Sequence, residues 1–158
     1  MKRPLPHTRG CFVCGLHNPF GLKLSFEADG AIVTARYVPR PEHSGFQNTI
    51  HGGIIATVLD EIMVWACGIQ TQRFAYCAEL NVRYANPVRP GEDLLLVAGP
   101  IVNRKNRLFE ASGELRDSSD AVLASATGKY IPIKQTDMAL LMADFVEDTS
   151  SLFPNSGS

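Results

Sequence analysis

Residues 49–68 read TIHGGIIATVLDEIMVWACG. After His51-Gly52-Gly53 the apolar residues recur at helical spacing. Ile54, Ile55, Val58, Leu59, Ile62, Met63, Trp65, Ala66 and Ile69 take up nearly the whole circumference. A helix that is apolar all round is buried all round. The stretch therefore predicts one long helix over 53–68, with a sheet curled about it and further cover from a second subunit. Two carboxylates, Asp60 and Glu61, interrupt the run. Asp is a poor helix former and is rarely buried without a partner. Consecutive positions point about 100° apart, so at most one of the pair faces a given cleft. Either both lie on a polar strip, or one performs chemistry.

On both sides of this helix the pattern changes to period two. LKLSFEADGAIVTARYVP (22–39) holds two alternating runs around Asp29-Gly30, a hairpin signal. RPEHSGFQNTIHGG (40–53) reads as a loop. FAYCAELNVRYANP places Leu80, Val82 and Tyr84 on one face, and EDLLLVAGPIVN follows the turn RPG. RLFEASGELRD and AVLASATGKYIPI follow the polar turns NRKN and DSSD. Such short, regular spacing predicts antiparallel pairing. The order is β-β-α-β-β-β-β, an α+β domain whose sheet buries one face on the helix. TDMALLMADFVED (136–148) has helical spacing, with Thr136 as its N-cap. Residues 1–20 read as a lead-in, 134–158 as a partly helical extension, and the closing SSLFPNSGS as frayed.

The chain has 158 residues, enough for one domain spanning 1–158, and no internal repeat divides it. Its 45% hydrophobic and 20% charged content is that of an ordinary globular protein. A net charge of -1 gives no global basic field, so neither nucleic acid nor an anionic membrane is an expected partner. Asp60-Glu61 breaks the longest apolar run, so no membrane span is expected. MKRPLPHTRG has no apolar core after its basic residues, so the expectation is a cytoplasmic chain without a signal peptide. Four cysteines are too few and too unevenly placed for a disulfide scaffold.

A helix N-terminus presents unpaired N–H groups and the positive end of its dipole. Gly52 and Gly53 let a ligand approach that backbone closely. Such a site binds an anion or stabilises an oxyanion growing on a carbonyl. Gly52 and Asp60 are eight residues apart, about 12 Å along a helix. An oxyanion donor and a base acting on one carbonyl each lie about 3 Å from the reacting atoms. One helix cannot supply both. Two helices side by side can, and a two-fold dimer is the simplest source of the second.

HGGIIATVLDEIMVWA resembles the signature of hotdog-fold acyl-CoA thioesterases, in the branch related to the phenylacetate-pathway (PaaI-like) thioesterases. CFVCGLHNPFGLKLSF (11–26) is similar to that group's Cys-x-x-Cys-Gly…Asn-Pro-x-Gly-Leu lead-in. HSGF resembles its His-Gln-Gly-Tyr loop, and LNVRYANPVRPGEDLLLVA its strand, Pro-Gly turn and strand. ASATGKYIPI resembles the closing strand, so the likeness spans residues 11–133. It implies a curved antiparallel sheet of about six strands wrapped around one helix, assembled as a homodimer or a dimer of dimers. It also implies hydrolysis of an acyl-CoA thioester with no cofactor and no metal. Gly52 would donate its N–H to the thioester oxygen. Asp60 of the partner chain would act as nucleophile or as the base on water, and His51 would shape the loop. Two positions depart from the pattern. An Asn or Gln usual near Ser44 and Gly45 is replaced here by Gln47 and Asn48 further on. A Ser or Thr usual on the next strand has Cys77 as its nearest counterpart. Gly53, Asn48, Phe46, Glu61 and Cys77 complete the expected substrate contacts. The rival functions are an acyl-CoA-binding module without catalysis and a hydratase or lyase on the same fold.

Other motifs carry less. Cys11-x-x-Cys14 lacks a second ligand pair in sequence and reads as a tight turn, although His7 and His17 are near. Cys67 sits within the apolar helix, where a thiol behaves as a small hydrophobe. NRKNR (103–107) reads as a solvated hairpin loop, and competes with Arg83, Arg89 and Lys129 for the coenzyme A phosphates. Phe46, Trp65 and Phe74 are candidates for the wall of an acyl pocket.

Overall fold

The computed structural model describes residues 1–150 and Leu152. The alternating segments form β2 (Phe26–Asp29), β3 (Ile32–Tyr37), β4 (Ala75–Tyr84), β5 (Leu94–Arg104), β6 (Leu108–Arg116) and β7 (Val122–Pro132). A two-residue strand, β1 (Arg3–Pro4), lies against β2. All pairings are antiparallel, and the sheet order is β1-β2-β3-β5-β6-β7-β4. Helix α1 (Gly52–Thr71) packs on β3, β4, β5, β6 and β7, so the sheet wraps it as the hotdog fold requires. It extends the expected helix at both ends.

The turns follow from their residues. Gly30, at φ +58, closes the β2–β3 hairpin where a Cβ would be strained. Lys105 and Asn106, both near φ +55, close β5–β6, so the basic stretch 103–107 is a hairpin end as read. Asp117 accepts hydrogen bonds from the N–H groups of Ser119 and Ala121 and shapes the β6–β7 turn.

Ile55, Val58, Leu59, Ile62, Met63, Trp65, Ala66, Cys67 and Gly68 are buried. Trp65 stands edge-on to Phe74 and Phe145, with centroids 5.2 and 6.0 Å away. Along α1 an incompletely covered stripe runs through Gly53, Ala56, Thr57, Asp60 and Val64, with Gly53 exposed and the other four half-buried. By length and composition α1 could cross a membrane, with a mean hydropathy of 1.6, yet it is held inside the sheet.

The C-terminal extension differs from its reading. Helix α2 covers only Gln135–Met142, and its N-cap is Lys134 rather than Thr136. The Thr136 hydroxyl bonds the Asp137 carboxylate instead of capping. After Met142 the chain turns back to the lead-in. Arg9 N–H bonds Asp144 C=O, Val146 N–H bonds His7 C=O, and Thr8 bridges Phe145. Residues 7–9 and 144–146 are thereby tied to each other. Most of the segment read as frayed, 150–158, lies outside the described residues.

Candidate functional site

The loop before α1 is pinned from inside. His43 is buried, its Nδ1 3.2 Å from the Tyr37 hydroxyl and accepting from Arg40 N–H at 3.2 Å. Burial, with Arg40 beside it, lowers the basicity of this imidazole. The His43 carbonyl accepts from His51 N–H at 2.9 Å, which fixes where the helix begins.

At that beginning His51 is the N-cap, and its Nδ1 accepts the Gly53 N–H at 2.8 Å. Tyr84, from the end of β4, donates its hydroxyl to the Gly52 carbonyl at 2.7 Å. Ile54 and Ile55 bond the His51 carbonyl. Among the described residues, no hydrogen bond uses the Gly52 N–H. Of the two glycines, Gly52 therefore keeps its donor and Gly53 does not. Gly52 lies in the walls of two adjoining recesses, of about 360 and 320 Å³. The first is lined by Gly45, Phe46, Thr49, Ile50 and His51, the second by Tyr84 and Pro87 among others. Phe46 is 87% exposed, an apolar ring at the mouth of this region. Asn48, at φ +56, is an exposed loop corner.

Asp60 lies two turns further along on the half-covered stripe. Its Oδ1 accepts from the Tyr130 hydroxyl at 2.9 Å. Tyr130 is buried on β7, and Gly128 leaves room for it: a Cβ there would stand 2.5 Å from the ring. Burial, with the Asp60 carboxylate beside it, raises the Tyr130 phenol, so it stays a donor. Cys77 stands on the same side, and its thiol is raised by partial burial and by Asp60. The structure thus groups Asp60 with Cys77 and Tyr130, and His51 with Gly52 and Phe46, at two levels of one helix.

Glu61 faces elsewhere. Its Oε1 accepts from the Cys11 and Cys14 thiols at 3.5 and 3.6 Å, and burial pushes its carboxyl up to about 8. Trp65 and Phe74 line an apolar cavity of about 220 Å³ beside these thiols, so they do not share a recess with Phe46. Of the basic candidates, Lys129 pairs with Glu79 and Arg104 with Glu110.

Sequence reasoning missed Tyr130, Tyr84 and His43. For Tyr130 a signal existed: the period-two pattern of β7 sends it inward with Ala126 and Gly128. Tyr84 and His43 act through backbone contacts that no spacing announces.

With this geometry in place, four likenesses are informative. The family described as Thioesterase superfamily matches residues 47–124, which hold α1, β4, β5, β6 and the first residues of β7. This bears out the resemblance read from the sequence. Human acyl-coenzyme A thioesterase 13 is 32% identical over 92 residues. That match covers 57% of this chain and spans 59% of the relative's length. Among solved structures, a thioesterase superfamily protein superposes with a TM-score of 0.72 at 22% identity, covering 78% of this chain and 60% of that one. Escherichia coli PaaI, from the phenylacetic acid degradation operon, gives 0.65 at 16% identity, with 72% and 81% covered. Both structures share the fold.

Proposed function

We propose that this hotdog-fold chain, similar to the thioesterase superfamily across its central helix, hydrolyses acyl-CoA thioesters to a free acid and coenzyme A. The observation that carries the reading is the free Gly52 N–H at the start of a helix whose half-covered stripe presents Asp60.

The two groups are too far apart on one helix to meet at one carbonyl. Strand β4 supports a second copy as the remedy. It is the last strand of the sheet, ten residues long and mostly exposed. An uncovered edge of that length offers a full row of unpaired N–H and C=O groups to another strand. A two-fold axis beside β4 would bring two α1 helices alongside each other and make two equivalent sites.

In each site the thioester oxygen would sit against Gly52 N–H, with the helix dipole favouring the negative charge that develops there. Asp60 of the second copy would attack the carbonyl carbon or deprotonate the attacking water. Tyr130 holds one carboxylate oxygen and so fixes the direction of the other. Breaking the C–S bond then expels the coenzyme A thiolate, leaving the free acid where water attacked, or an anhydride with Asp60 that a water then hydrolyses to the acid. The helix end supplies the stabilisation of the oxyanion, so the residues present suffice for this step.

The test is a panel of aryl-, short- and medium-chain acyl-CoAs scored for released thiol, beside calorimetric titration of the same compounds. Thiol release supports hydrolysis. Tight binding without release would make the chain an acyl-CoA sensor, and loss of a double bond without thiol would make it a hydratase.

A further inference from the structure

Glu61 is the second carboxylate of α1, and the proposed hydrolysis leaves it without a role. It meets Cys11 and Cys14, brought from fifty residues away by the lead-in. We propose that Cys11, Cys14 and Glu61 bind a zinc ion, with a fourth coordination position open to the adjoining apolar cavity.

The geometry is that of a tetrahedron lacking its centre. With Zn–S near 2.3 Å and Zn–O near 2.0 Å, the S···O edge of a zinc tetrahedron is about 3.5 Å. The two S···O distances here are 3.5 and 3.6 Å, and all three donor atoms lie within 4.8 Å of one another. The donor set, two thiolates and a carboxylate, suits zinc among common divalent ions.

The surroundings are built for sulfur ligands. Val13 N–H donates to Cys11 Sγ at 3.3 Å. The Thr8 hydroxyl stands 3.6 Å from Cys14 Sγ and accepts from Cys11 N–H at 3.2 Å. Such outer contacts orient metal ligands. The loop closes through Gly15, whose N–H bonds the Cys11 carbonyl at 2.8 Å. A Cβ at Gly15 would stand 2.3 Å from that carbonyl oxygen, so only glycine fits. No Lys or Arg is paired with Glu61 among the described residues; its hydrogen-bond partners there are the two thiols. A divalent cation would supply the missing positive charge.

The cavity, about 220 Å³, is walled by these donors and by Val64, Trp65, Phe74 and Phe145. Three protein ligands and one open position is the arrangement of zinc sites that exchange a water or small ligand. On binding, the two thiol protons leave to solvent and each sulfur gives a lone pair to the metal. No redox change is involved. The ion would fasten the lead-in to α1 one residue beyond Asp60.

The test is metal content. The reduced full-length chain, dialysed against zinc chloride and freed of loose metal, should retain about one zinc per chain by mass spectrometry. Cobalt(II) added to the same apo chain should give the intense near-ultraviolet band of thiolate-to-cobalt charge transfer. Cys11→Ser, Cys14→Ser and Glu61→Gln should each lower zinc retention by about tenfold or more, while Cys77→Ser retains it. The cobalt titration uses the unaltered chain, so it decides the matter even where a variant fails to fold. Retention below a tenth of an equivalent, with no charge-transfer band, would overturn the proposal. So would a Cys11–Cys14 disulfide in protein taken from reducing cells, which would make the pair a redox element. Neither outcome touches the hydrolysis reading.

Discussion

Asp60 and Gly52 are the residues on which the proposed chemistry turns, and each can be altered without disturbing shape. Asp60→Asn keeps the volume and a hydrogen-bond acceptor for Tyr130 but removes the negative charge. Turnover should fall by about 10² or more at unchanged expression and melting temperature. Near-normal thiol release from this variant would remove Asp60 from the mechanism. Gly52 is the first helical residue, and proline is tolerated there because the position has no intrahelical N–H bond to lose. His51, at φ -58 and ψ 131, already has the extended backbone that a following proline demands. Gly52→Pro should therefore fold, yet lose about 10² to 10³ in kcat because the donor is gone. Tyr130→Phe removes only the hydroxyl that aims Asp60. The expected result is about a tenfold drop in kcat with KM little changed; an unaltered kcat would make Tyr130 a packing residue alone.

At the scale of the element, helix α1 was legible because its apolar residues repeat all the way round. The hairpins were legible from Asp-Gly and from polar turns. The meeting of the lead-in with the C-terminal extension was not, since it rests on backbone bonds such as Arg9 N–H to Asp144 C=O. The end of α2 was overread for a related reason. Apolar residues continue at helical spacing past Met142, but Phe145 leaves the helix to stack on Phe74 and pack edge-on to Trp65. That Asp60 and Glu61 face different ways followed from helix geometry, but Glu61, expected among the substrate contacts, instead meets two thiols that only the folded lead-in brings to it. The His43 loop has a measurable consequence. Its imidazole titrates below the usual 6.5 because burial and Arg40 oppose the charge, Glu42 only partly offsetting them. The unfolded chain then takes up a proton before the folded one does. Stability from this residue is complete above about pH 6.5 and is lost as pH falls through the lower folded value. Thermal unfolding between about pH 7.5 and pH 5 should show a smaller acid loss in His43→Gln than in the parent. Equal losses would mean that the loop does not sense this proton.

The whole molecule carries a prediction that no single chain can meet. If each site takes Gly52 from one copy and Asp60 from the other, two dead variants should rescue each other. Gly52→Pro and Asp60→Asn chains, unfolded together and refolded, should form hybrids with one intact site of two. Random pairing makes half the dimers hybrid, so about a quarter of parental activity should return. No recovery in a mixture shown to contain hybrids would place both groups within one subunit. The sequence raised the expectation of a partner through the covering a fully apolar helix requires. It could not show which strand would be left at an edge for the proposed dimer, because β4 alternates like its neighbours; its place at the end of the sheet is a matter of topology.

That topology also orders events on the ribosome. Helix α1 leaves the exit tunnel with only β1, β2 and β3 outside it, while β4, β5, β6 and β7 have yet to emerge. For that interval a twenty-residue helix, with an 18-residue window of mean hydropathy 1.6, has almost no shelter. Nascent chains halted before residue 94 should be held by chaperones or sediment as aggregates, and release should wait on the last strand, β7.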